Sequence, residues 1–314
     1  MMIDAQLTGS YPRSERLVAA TRAAVRGNLP QTEVDLILQE DVRSLVTLQG
    51  QCELGAAVDG QLNWQDLFRP FSEILTGIEP GGLVRWFDNN TFYRQPLVKG
   101  RVGYKGDSLG RIFRIDLLPK EGCKKAILPG PFTFALLSEN SFYKSNADLV
   151  DDLAHSLKSV VRELQSLGYD SFQFNEPCLC APNRTKSEFA AAQQGLQTCA
   201  QGRGLLQTYF GDASRAIDRL LDYPVDSIGV DLYSTPLESL KGHDFDKGLA
   251  CGCVDGRNSL LESPTQLKEI LLKVRNDLEP RQLFLTTSCD LEFLPSSVAE
   301  KKVRLLNQTE KLLA

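Results

Sequence analysis

The chain has 314 residues, of which 42% are hydrophobic and 24% charged, a composition typical of globular proteins. Its 35 basic and 40 acidic residues give a net charge of −5 and form no long block of one sign, which argues against a nucleic-acid-binding surface. No apolar run reaches the roughly 18 residues that span a bilayer, and no signal peptide is evident. We therefore expect a cytoplasmic protein whose eight cysteines are reduced thiols.

The first half of the chain predicts helices and strands in an irregular order. Glycine and proline mark a turn over residues 9–12. We predict strands over residues 5–8, 54–58, 84–90 and 126–131, and helices over residues 13–27, 32–49 and 64–75. Two strand-like stretches around a glycine-rich turn predict a small inserted β-hairpin near residues 98–119.

The second half alternates strands and helices regularly. A long helix over residues 147–167 ends at Gly168, the residue type that favours a left-handed helix end. Strands are predicted over residues 170–174, 205–209, 227–230, 248–251 and 283–286, and helices over residues 186–201, 213–221, 265–276 and 297–313. About eight strand–helix units imply a parallel sheet, and at this length they favour one closed (β/α)8 TIM barrel that spans residues 1–314 as a single domain.

Several thiols follow predicted strands, at the end of a parallel sheet where ligands bind. The candidates for a metal site are Cys251, Cys253 and Cys289. Thiolates bind zinc, but a Cys-x-Cys spacing is a weak signal, and histidine, the usual companion ligand, occurs twice in the chain. Because free cysteine is also a common small buried residue, we expect these thiols to be structural and keep a zinc site as the alternative.

Two acidic positions also follow predicted strands. Glu176, next to Asn175, could bind an amino group or act as an acid or base. Asp255 lies two residues before Arg257 and suggests an ion pair at the same end of the sheet. In both cases a structural role, with the carboxylate satisfied by neighbouring groups, is the alternative.

Basic residues near the predicted sheet edge suggest an anion site. Arg13 and Arg16 open a helix after the turn that contains Ser10, and helix N–H groups with guanidinium groups suit carboxylates or phosphates. Arg85 precedes Trp86, a pairing that could hold a flat heterocycle with an acidic tail. A buried tryptophan beside a surface arginine is the alternative for Arg85. No dinucleotide fingerprint, Walker loop or nucleophile elbow is present.

Taken in order, these motifs resemble the cobalamin-independent methionine synthase family over nearly the whole chain. The resemblance rests on residues 9–13 (Gly-Ser-Tyr-Pro-Arg), 128–133 (Leu-Pro-Gly-Pro-Phe-Thr), 172–177 (Phe-Gln-Phe-Asn-Glu-Pro), 229–232 (Gly-Val-Asp-Leu), 252–258 (Gly-Cys-Val-Asp-Gly-Arg-Asn) and 287–291 (Thr-Ser-Cys-Asp-Leu). Members have an N-terminal barrel and a zinc-bearing catalytic barrel, or a single catalytic barrel. The catalytic zinc is held by a His-x-Cys pair, a carboxylate and a later cysteine.

This resemblance implies a chain of the N-terminal type without the zinc site. Gln207 and Tyr209 stand where the catalytic barrel has histidine and cysteine, while Asp231 and Cys289 match the other two ligands. Residues 85–93 and 206–210 are similar to the N-terminal barrel, which supplies basic residues for the glutamate tail of folate. We predict that the substrate-binding residues are Ser10, Arg13, Arg16, Arg85, Asn175, Glu176 and Asp255. The resemblance matches Arg13, Arg16 and Arg85 approximately to the basic positions, and Asn175 stands where the family usually has aspartate.

The expected function follows from the same resemblance. We expect a component of methionine biosynthesis that binds a methyltetrahydrofolate-type donor, holds no zinc and acts with a separate zinc-bearing barrel on homocysteine. The sequence does not decide whether the chain is an enzyme by itself. One alternative is a self-sufficient thiol methyltransferase with an atypical cysteine-based zinc site and a folate, corrinoid or other donor. Another is a scaffold barrel without catalysis.

Overall fold

The computed structural model describes residues 3–106, 109–200 and 203–313. Its strands are β1 (Ile3–Ala5), β2 (Leu75–Arg85), β3 (Phe92–Tyr104), β4 (Lys125–Pro129), β5 (Glu139–Asn140), β6 (Ser171–Asn175), β7 (Arg203–Gln207), β8 (Ser227–Asp231), β9 (Gly248–Val254) and β10 (Gln282–Thr287). Its α-helices are α1 (Glu15–Val25), α2 (Gln31–Gln51), α3 (Arg69–Ile74), α4 (Leu109–Ile112), α5 (Pro131–Leu137), α6 (Asn146–Leu167), α7 (Lys186–Cys199), α8 (Ile217–Leu221), α9 (Pro264–Leu278) and α10 (Ser296–Lys311).

Within these described ranges, seven parallel strands form the main sheet in the order β1-β10-β9-β8-β7-β6-β4. The predicted closed barrel of eight strands is therefore wrong: the sheet is curled but open, a half-barrel. Residues 55–57, which lie in the predicted strand over 54–58, form a single bridge between the two edges. The Gly55 N–H donates to the Ala5 carbonyl (3.0 Å), and the Ala57 N–H donates to the Cys123 carbonyl (2.8 Å).

The backbone around residues 55–57 explains why this segment is not a strand. Glu53 and Gln61 have φ values of 52° and 54°, and Gly60 has 68°, so the extended conformation is interrupted on both sides. Gly55 also packs against a neighbouring carboxyl group, since a Cβ built there would lie 1.7 Å from Oδ1 of Asp4. The extended stretch is too short to form a ladder with β1 and β4.

The inserted hairpin lies earlier in the chain than predicted. It consists of β2 and β3, which pair antiparallel, with β5 added beside β3. The stretch after residue 108, predicted as its second strand, forms α4 and a 3₁₀ turn over residues 115–117. Tertiary packing accounts for the difference: Leu109, Ile112 and Phe113 are buried, and the indole N–H of Trp64 donates to the Ile112 carbonyl (2.9 Å).

The helix–strand alternation of the second half is confirmed. The helix α6 is capped by the Ser145 hydroxyl, which accepts a hydrogen bond from the Asp148 N–H, and it ends at Gly168 with φ 101°, as its sequence predicts. The nine buried residues of α6 include Leu153, Leu157 and Leu164, so it packs against the core along one face. In the described part of the chain, no helix is long and apolar enough to cross a membrane.

Candidate ligand-binding site

A cavity of about 770 Å³ opens beside the carboxyl ends of β1 and β10. We call it the mouth cavity. Its wall combines the turn after β1, the segment before α3, the far end of the β2–β3 hairpin and the loop before α10. The residues that line it are Ser10, Tyr11, Pro12, Arg13, Ser14, Glu15, Val18, Gln61, Trp64, Gln65, Asp66, Leu67, Trp86, Thr91, Phe92, Tyr93, Asp290, Glu292, Leu294, Pro295, Ser296 and Ser297.

The floor of the mouth cavity is fixed by contacts between the two ends of the chain. The Ser10 N–H donates to Oδ1 of Asp290 (2.8 Å), and the Ser10 hydroxyl donates to Oε1 of Gln61 (2.5 Å). The N–H groups of Leu291 and Glu292 both donate to the Ser10 carbonyl, at 3.0 and 3.1 Å. A glycine is needed at position 9, since a Cβ there would lie 1.9 Å from Oδ1 of Asp290.

Two carboxyl groups on this floor carry raised pKa values. Burial raises the pKa of Asp290, although the hydrogen bond from the Ser10 N–H favours its ionised form. Burial raises the pKa of Glu292 as well, the charge of Asp290 raises it further, and Arg13 partly offsets the rise. Glu292 is an exposed residue that lines the cavity, so solvent reduces the effect of burial on its pKa. Perturbed carboxyl groups in a cleft are typical of binding sites.

A second depression, of about 420 Å³, continues from the mouth cavity and shares Arg13 with it. We call it the arginine groove. Its basic residues are Arg13, Arg22, Arg26, Arg69 and Arg94. Every arginine ion pair within 4.0 Å in the described part of the chain involves other arginines, so these five guanidinium groups have no described carboxylate partner.

The predicted anion-binding residues are distributed differently from expectation. Ser10 and Arg13 line the mouth cavity, and burial lowers the pKa of Arg13. Arg16 instead points along the outer surface, where it pairs with Glu40 (2.5 Å). Arg85 is exposed on β2 and belongs to the lining of neither the mouth cavity nor the arginine groove. The structure thus brings Ser10 and Arg13 together and leaves Arg16 and Arg85 apart from them.

Glu176 is buried, and backbone N–H groups donate hydrogen bonds to both of its carboxylate oxygens. Its Oε1 accepts a hydrogen bond from the Phe132 N–H (2.9 Å) and its Oε2 one from the Thr133 N–H (2.6 Å), so it caps the first turn of α5. Burial raises its pKa to about 7 despite these bonds. Asn175 is also buried, and its Oδ1 accepts from Nε2 of Gln173 (2.8 Å). Neither residue lines the mouth cavity.

Asp255 does not form the expected ion pair with Arg257. Its Oδ1 accepts from the Arg257 backbone N–H (2.8 Å), while the Arg257 guanidinium group binds Asp88 of the hairpin. Arg257 also lies 5.4 Å above the ring of Phe210. Asp255 is therefore a turn residue that orients the loop, and the loop ties the sheet to the hairpin.

The three candidate thiols do not form one group. Position 248 of β9 faces the side chain of Ser227, because a Cβ built at Gly248 would meet it. Side chains alternate along a strand, so Cys251 and Cys253 point to the opposite face of the sheet. Cys289 lies near Asp290 and Asp231, whose charges add to the rise that burial causes in its pKa. Among the described residues, no three His, Cys, Asp or Glu side chains lie close enough to hold a metal ion.

The positions that the resemblance aligns with zinc ligands do not fit a metal either. Both oxygens of Asp231 are used by its own loop, since Oδ1 accepts from the Tyr233 N–H (2.9 Å) and Oδ2 from the Ser234 hydroxyl (2.7 Å). Gln207 and Tyr209 offer an amide and a phenol, which are poor zinc ligands beside thiolate and imidazole. Burial raises the pKa of Tyr209 well above its usual range, which keeps the phenol protonated.

Sequence reasoning missed several residues of the site. Asp290 and Glu292 directly follow the predicted strand over 283–286, so the strand-end rule applied to Cys289 could have found them. Arg22 and Arg26 lie four residues apart at the end of α1 and share one face of that helix. No local sequence pattern indicated that the site includes Gln61, Trp64, Arg69 and Arg94. The hairpin and the segment before α3 reach the site only through tertiary packing.

Comparison with known proteins identifies the family. A family model described as "Cobalamin-independent synthase, N-terminal domain" matches residues 76–279, more than half of the chain. The chain belongs to the cobalamin-independent methionine synthase family. Among similar family members, the methionine synthase of Sulfolobus acidocaldarius is 25% identical over 303 residues, which covers 94% of this chain and 87% of the relative. The methionine synthase of Saccharolobus solfataricus is 24% identical over 309 residues, which covers 96% of this chain and 92% of that relative.

Solved structures of the methionine synthase family share the fold. A B12-independent methionine synthase from Shewanella sp. W3-18-1, in complex with selenomethionine, superimposes with a TM-score of 0.81 at 18% identity, covering 100% of this chain and 98% of the other. A putative vitamin-B12-independent methionine synthase from Listeria monocytogenes gives 0.79 at 14% identity, with coverage of 100% and 99%. At these identities the likeness concerns the fold alone.

Proposed function

We propose that this methionine synthase family chain binds a methyl donor with an acidic tail, of the methyltetrahydrofolate polyglutamate type. In this proposal it acts with a separate zinc-bearing barrel that transfers the methyl group to homocysteine. The observation that carries the proposal is the arginine groove, where five guanidinium groups without a described carboxylate partner adjoin a cavity large enough for a ring system.

Electrostatics favour a polyanionic ligand in the arginine groove. The chain as a whole carries a net charge of −5, so five neighbouring unpaired arginines depart from the average surface. Guanidinium groups bind carboxylates through two parallel hydrogen bonds and stay charged at any physiological pH. Their mutual repulsion is relieved when a chain of carboxylates binds between them. Several glutamyl units match this pattern better than one small anion does.

The residues at the aligned zinc-ligand positions support the proposal that a separate protein carries out the methyl transfer. Methyl transfer to homocysteine in this family needs an activated thiolate, and the positions of the zinc ligands here hold Gln207 and Tyr209. Since Asp231 is occupied by its own loop, these side chains do not form a site that would activate a thiol. The proposed contribution of this chain is therefore to hold the donor.

Binding measurements with variants of the groove test the proposal. The probe is p-aminobenzoyl-triglutamate, which carries the acidic tail without the heterocycle. Arg22→Ala and Arg69→Ala are each expected to weaken its binding about tenfold, since a charge-assisted hydrogen bond contributes about 1.5–3 kcal/mol. Arg16→Ala and Arg85→Ala are the matched controls, because each removes an arginine outside the groove. Equal affinity in all four variants would contradict the proposal.

A second experiment addresses the partner. The chain is mixed with a separately purified zinc-bearing methionine synthase barrel and with triglutamyl methyltetrahydrofolate, and methionine formation from homocysteine is followed. The proposal predicts that the rate rises on addition of the wild-type chain and rises less with Arg22→Ala. Absence of any tail binding together with formation of a complex would favour the scaffold alternative instead.

A further inference from the structure

Asp290 and Glu292 lie side by side on the floor of the mouth cavity, beyond Arg13 as seen from the arginine groove. We propose that these two carboxyl groups recognise the ring end of the ligand, by accepting hydrogen bonds from adjacent N–H groups on the edge of a flat heterocycle. This inference rests on the proposed function, because it assumes that the acidic tail of the same ligand lies in the groove.

The Asp290 carboxyl group is held in place by one oxygen and offers the other. Its Oδ1 accepts from the Ser10 N–H, and the absence of a side chain at Gly9 allows this close approach. Only 5% of the residue is exposed, and that surface lies on the cavity wall. Its Oδ2 has no described hydrogen-bond partner. Because the cavity reaches this residue, Oδ2 is available to accept a hydrogen bond from a ligand bound there.

Glu292 is fixed through its backbone and leaves both carboxyl oxygens for the cavity. Its N–H donates to the Ser10 carbonyl (3.1 Å), and no described cation lies within 4.0 Å of its carboxyl group. Arg13 raises the ionised fraction of Glu292 without reaching contact distance. Asp66, the other acidic group nearby, already accepts hydrogen bonds at both oxygens: the backbone N–H groups of Phe68 and Arg69 donate to Oδ1, and that of Arg94 donates to Oδ2.

The remaining wall of the cavity suits a planar ring. Trp64, Trp86 and Tyr93 contribute aromatic surface, and each is at least nine-tenths buried. The Trp64 indole N–H is already donated to the Ile112 carbonyl, so this side chain offers apolar surface only. Gln61 also lines the cavity, and its side-chain oxygen accepts a hydrogen bond from the Ser10 hydroxyl. Aromatic walls and an acceptor pair at one end select a flat ligand with polar donors on one edge.

The charges specify the chemistry of that edge. An ionised carboxylate is an acceptor only, so it pairs with two neighbouring N–H groups, such as those of a cyclic amidine or guanidine unit, or with a protonated ring nitrogen. Rings that present acceptors or negative charge on that edge are repelled by the carboxyl pair. The site therefore orients an amphoteric ligand, with donors toward Asp290 and Glu292 and carboxylates toward the arginine groove.

Two probes separate the ring end from the tail. One is triglutamyl methyltetrahydrofolate, which has both; the other is p-aminobenzoyl-triglutamate, which has the tail alone. The wild type is expected to bind the complete probe at least tenfold more tightly. Asp290→Asn and Glu292→Gln, which keep the size of the side chain, are each expected to weaken the complete probe about tenfold and to leave the tail probe unchanged.

The pH dependence gives an independent readout. The charged and titratable groups around the pair are Arg13, Glu15, Asp66, Tyr11 and Tyr93 on the cavity wall, and the buried Tyr209 and Cys289. Affinity for the complete probe is expected to fall as the pH drops through the raised pKa values of the pair, about 8 for Glu292 and about 6 for Asp290, and Glu292→Gln is expected to remove the part of this fall at higher pH. The tail probe, held by arginines, is expected to show no such decline over the same range.

The outcomes distinguish the two proposals. If the carboxyl variants leave the affinity for the complete probe unchanged, or weaken both probes alike, the ring-end inference is wrong, and tail binding that depends on Arg22 still supports the proposed function. If the wild type binds neither probe, the proposed function is wrong and this inference with it. Melting temperatures of Asp290→Asn and Glu292→Gln serve as the folding control, and values at or above that of the wild type are expected.

Discussion

Asp88 and Arg257 form a two-pronged ion pair across the carboxyl end of the sheet, with Nη1–Oδ1 and Nη2–Oδ2 distances of 3.2 and 2.9 Å. The pair joins the end of the hairpin to the loop after β9. Beneath it, Phe87 and Phe210 pack together at 5.4 Å between ring centroids, and both have positive φ values, 51° and 63°. Residues other than glycine rarely adopt a positive φ, so the surrounding contacts must stabilise this backbone conformation.

Loss of this ion pair is expected to expose the thiol of Cys289. A Cβ built at Gly256, in the same loop as Arg257, would lie 2.8 Å from the Cys289 sulfur, so the loop covers that thiol. Arg257→Ala is expected to increase the rate of Cys289 alkylation several-fold, as measured by mass spectrometry of the labelled peptide. The unfolding free energy is expected to fall by less than about 1 kcal/mol, because the pair is exposed. Arg16→Ala, which breaks a comparable surface pair, is the control, and equal alkylation rates in both variants would argue against a cover.

Glu176 is expected to make stability depend on pH. Burial raises its folded pKa to about 7, against 4.5 for the unfolded chain, so the folded state binds more protons between these values. The contribution is present below pH 4.5 and lost as the pH rises through about 7, and it amounts to about 3 kcal/mol. Denaturant titrations of the wild type and Glu176→Gln at several pH values measure it. A free-energy difference between the two proteins that stays constant from pH 4.5 to 7 would show that Glu176 is not the cause.

Lys125 is expected to have the opposite effect at higher pH. It is buried without a carboxylate within 4.0 Å among the described residues, and its ammonium group donates to the Leu7 carbonyl (2.6 Å). Burial lowers its pKa to about 8 from the unfolded value of 10.5. Its stabilising contribution is therefore present above pH 10.5 and lost as the pH falls through about 8. In Lys125→Met this rise of stability with pH should disappear, whereas Lys124→Met, at the partly exposed neighbouring position, should retain it.

The thiols are expected to hold no stoichiometric zinc. No three His, Cys, Asp or Glu side chains among the described residues lie close enough to hold a metal ion, and burial raises the pKa of the Cys251, Cys253 and Cys289 thiols, which disfavours the thiolate that binds metal. Elemental analysis of the purified, reduced chain should find far less than one zinc per molecule, and Cys289→Ser should not change the value. One zinc per chain that is lost in Cys289→Ser would instead support a self-sufficient thiol methyltransferase.

The local signals in the sequence were sufficient for the second half of the fold. Strands β6 to β10 lie within a few residues of their predictions, and α6 ends at Gly168, because strand length, helix periodicity and caps depend on neighbouring residues. The same reasoning failed at residues 54–58 and 98–119. There the conformation depends on distant partners, Asp4 for the first segment and Trp64 for the second.

By itself, the sequence determined the α/β class, the family and a basic residue, Arg13, beside the turn at Ser10. Tertiary structure decided which other side chains share the cavity with them. Ser10 and Asp290 are 280 positions apart in the chain, and their hydrogen bond exists because β1 and β10 are parallel neighbours in the sheet. The position of the hairpin likewise separates Arg85 from the groove and brings Arg94 into it. Such proximities arise from packing between distant segments, which no local pattern in the sequence encodes.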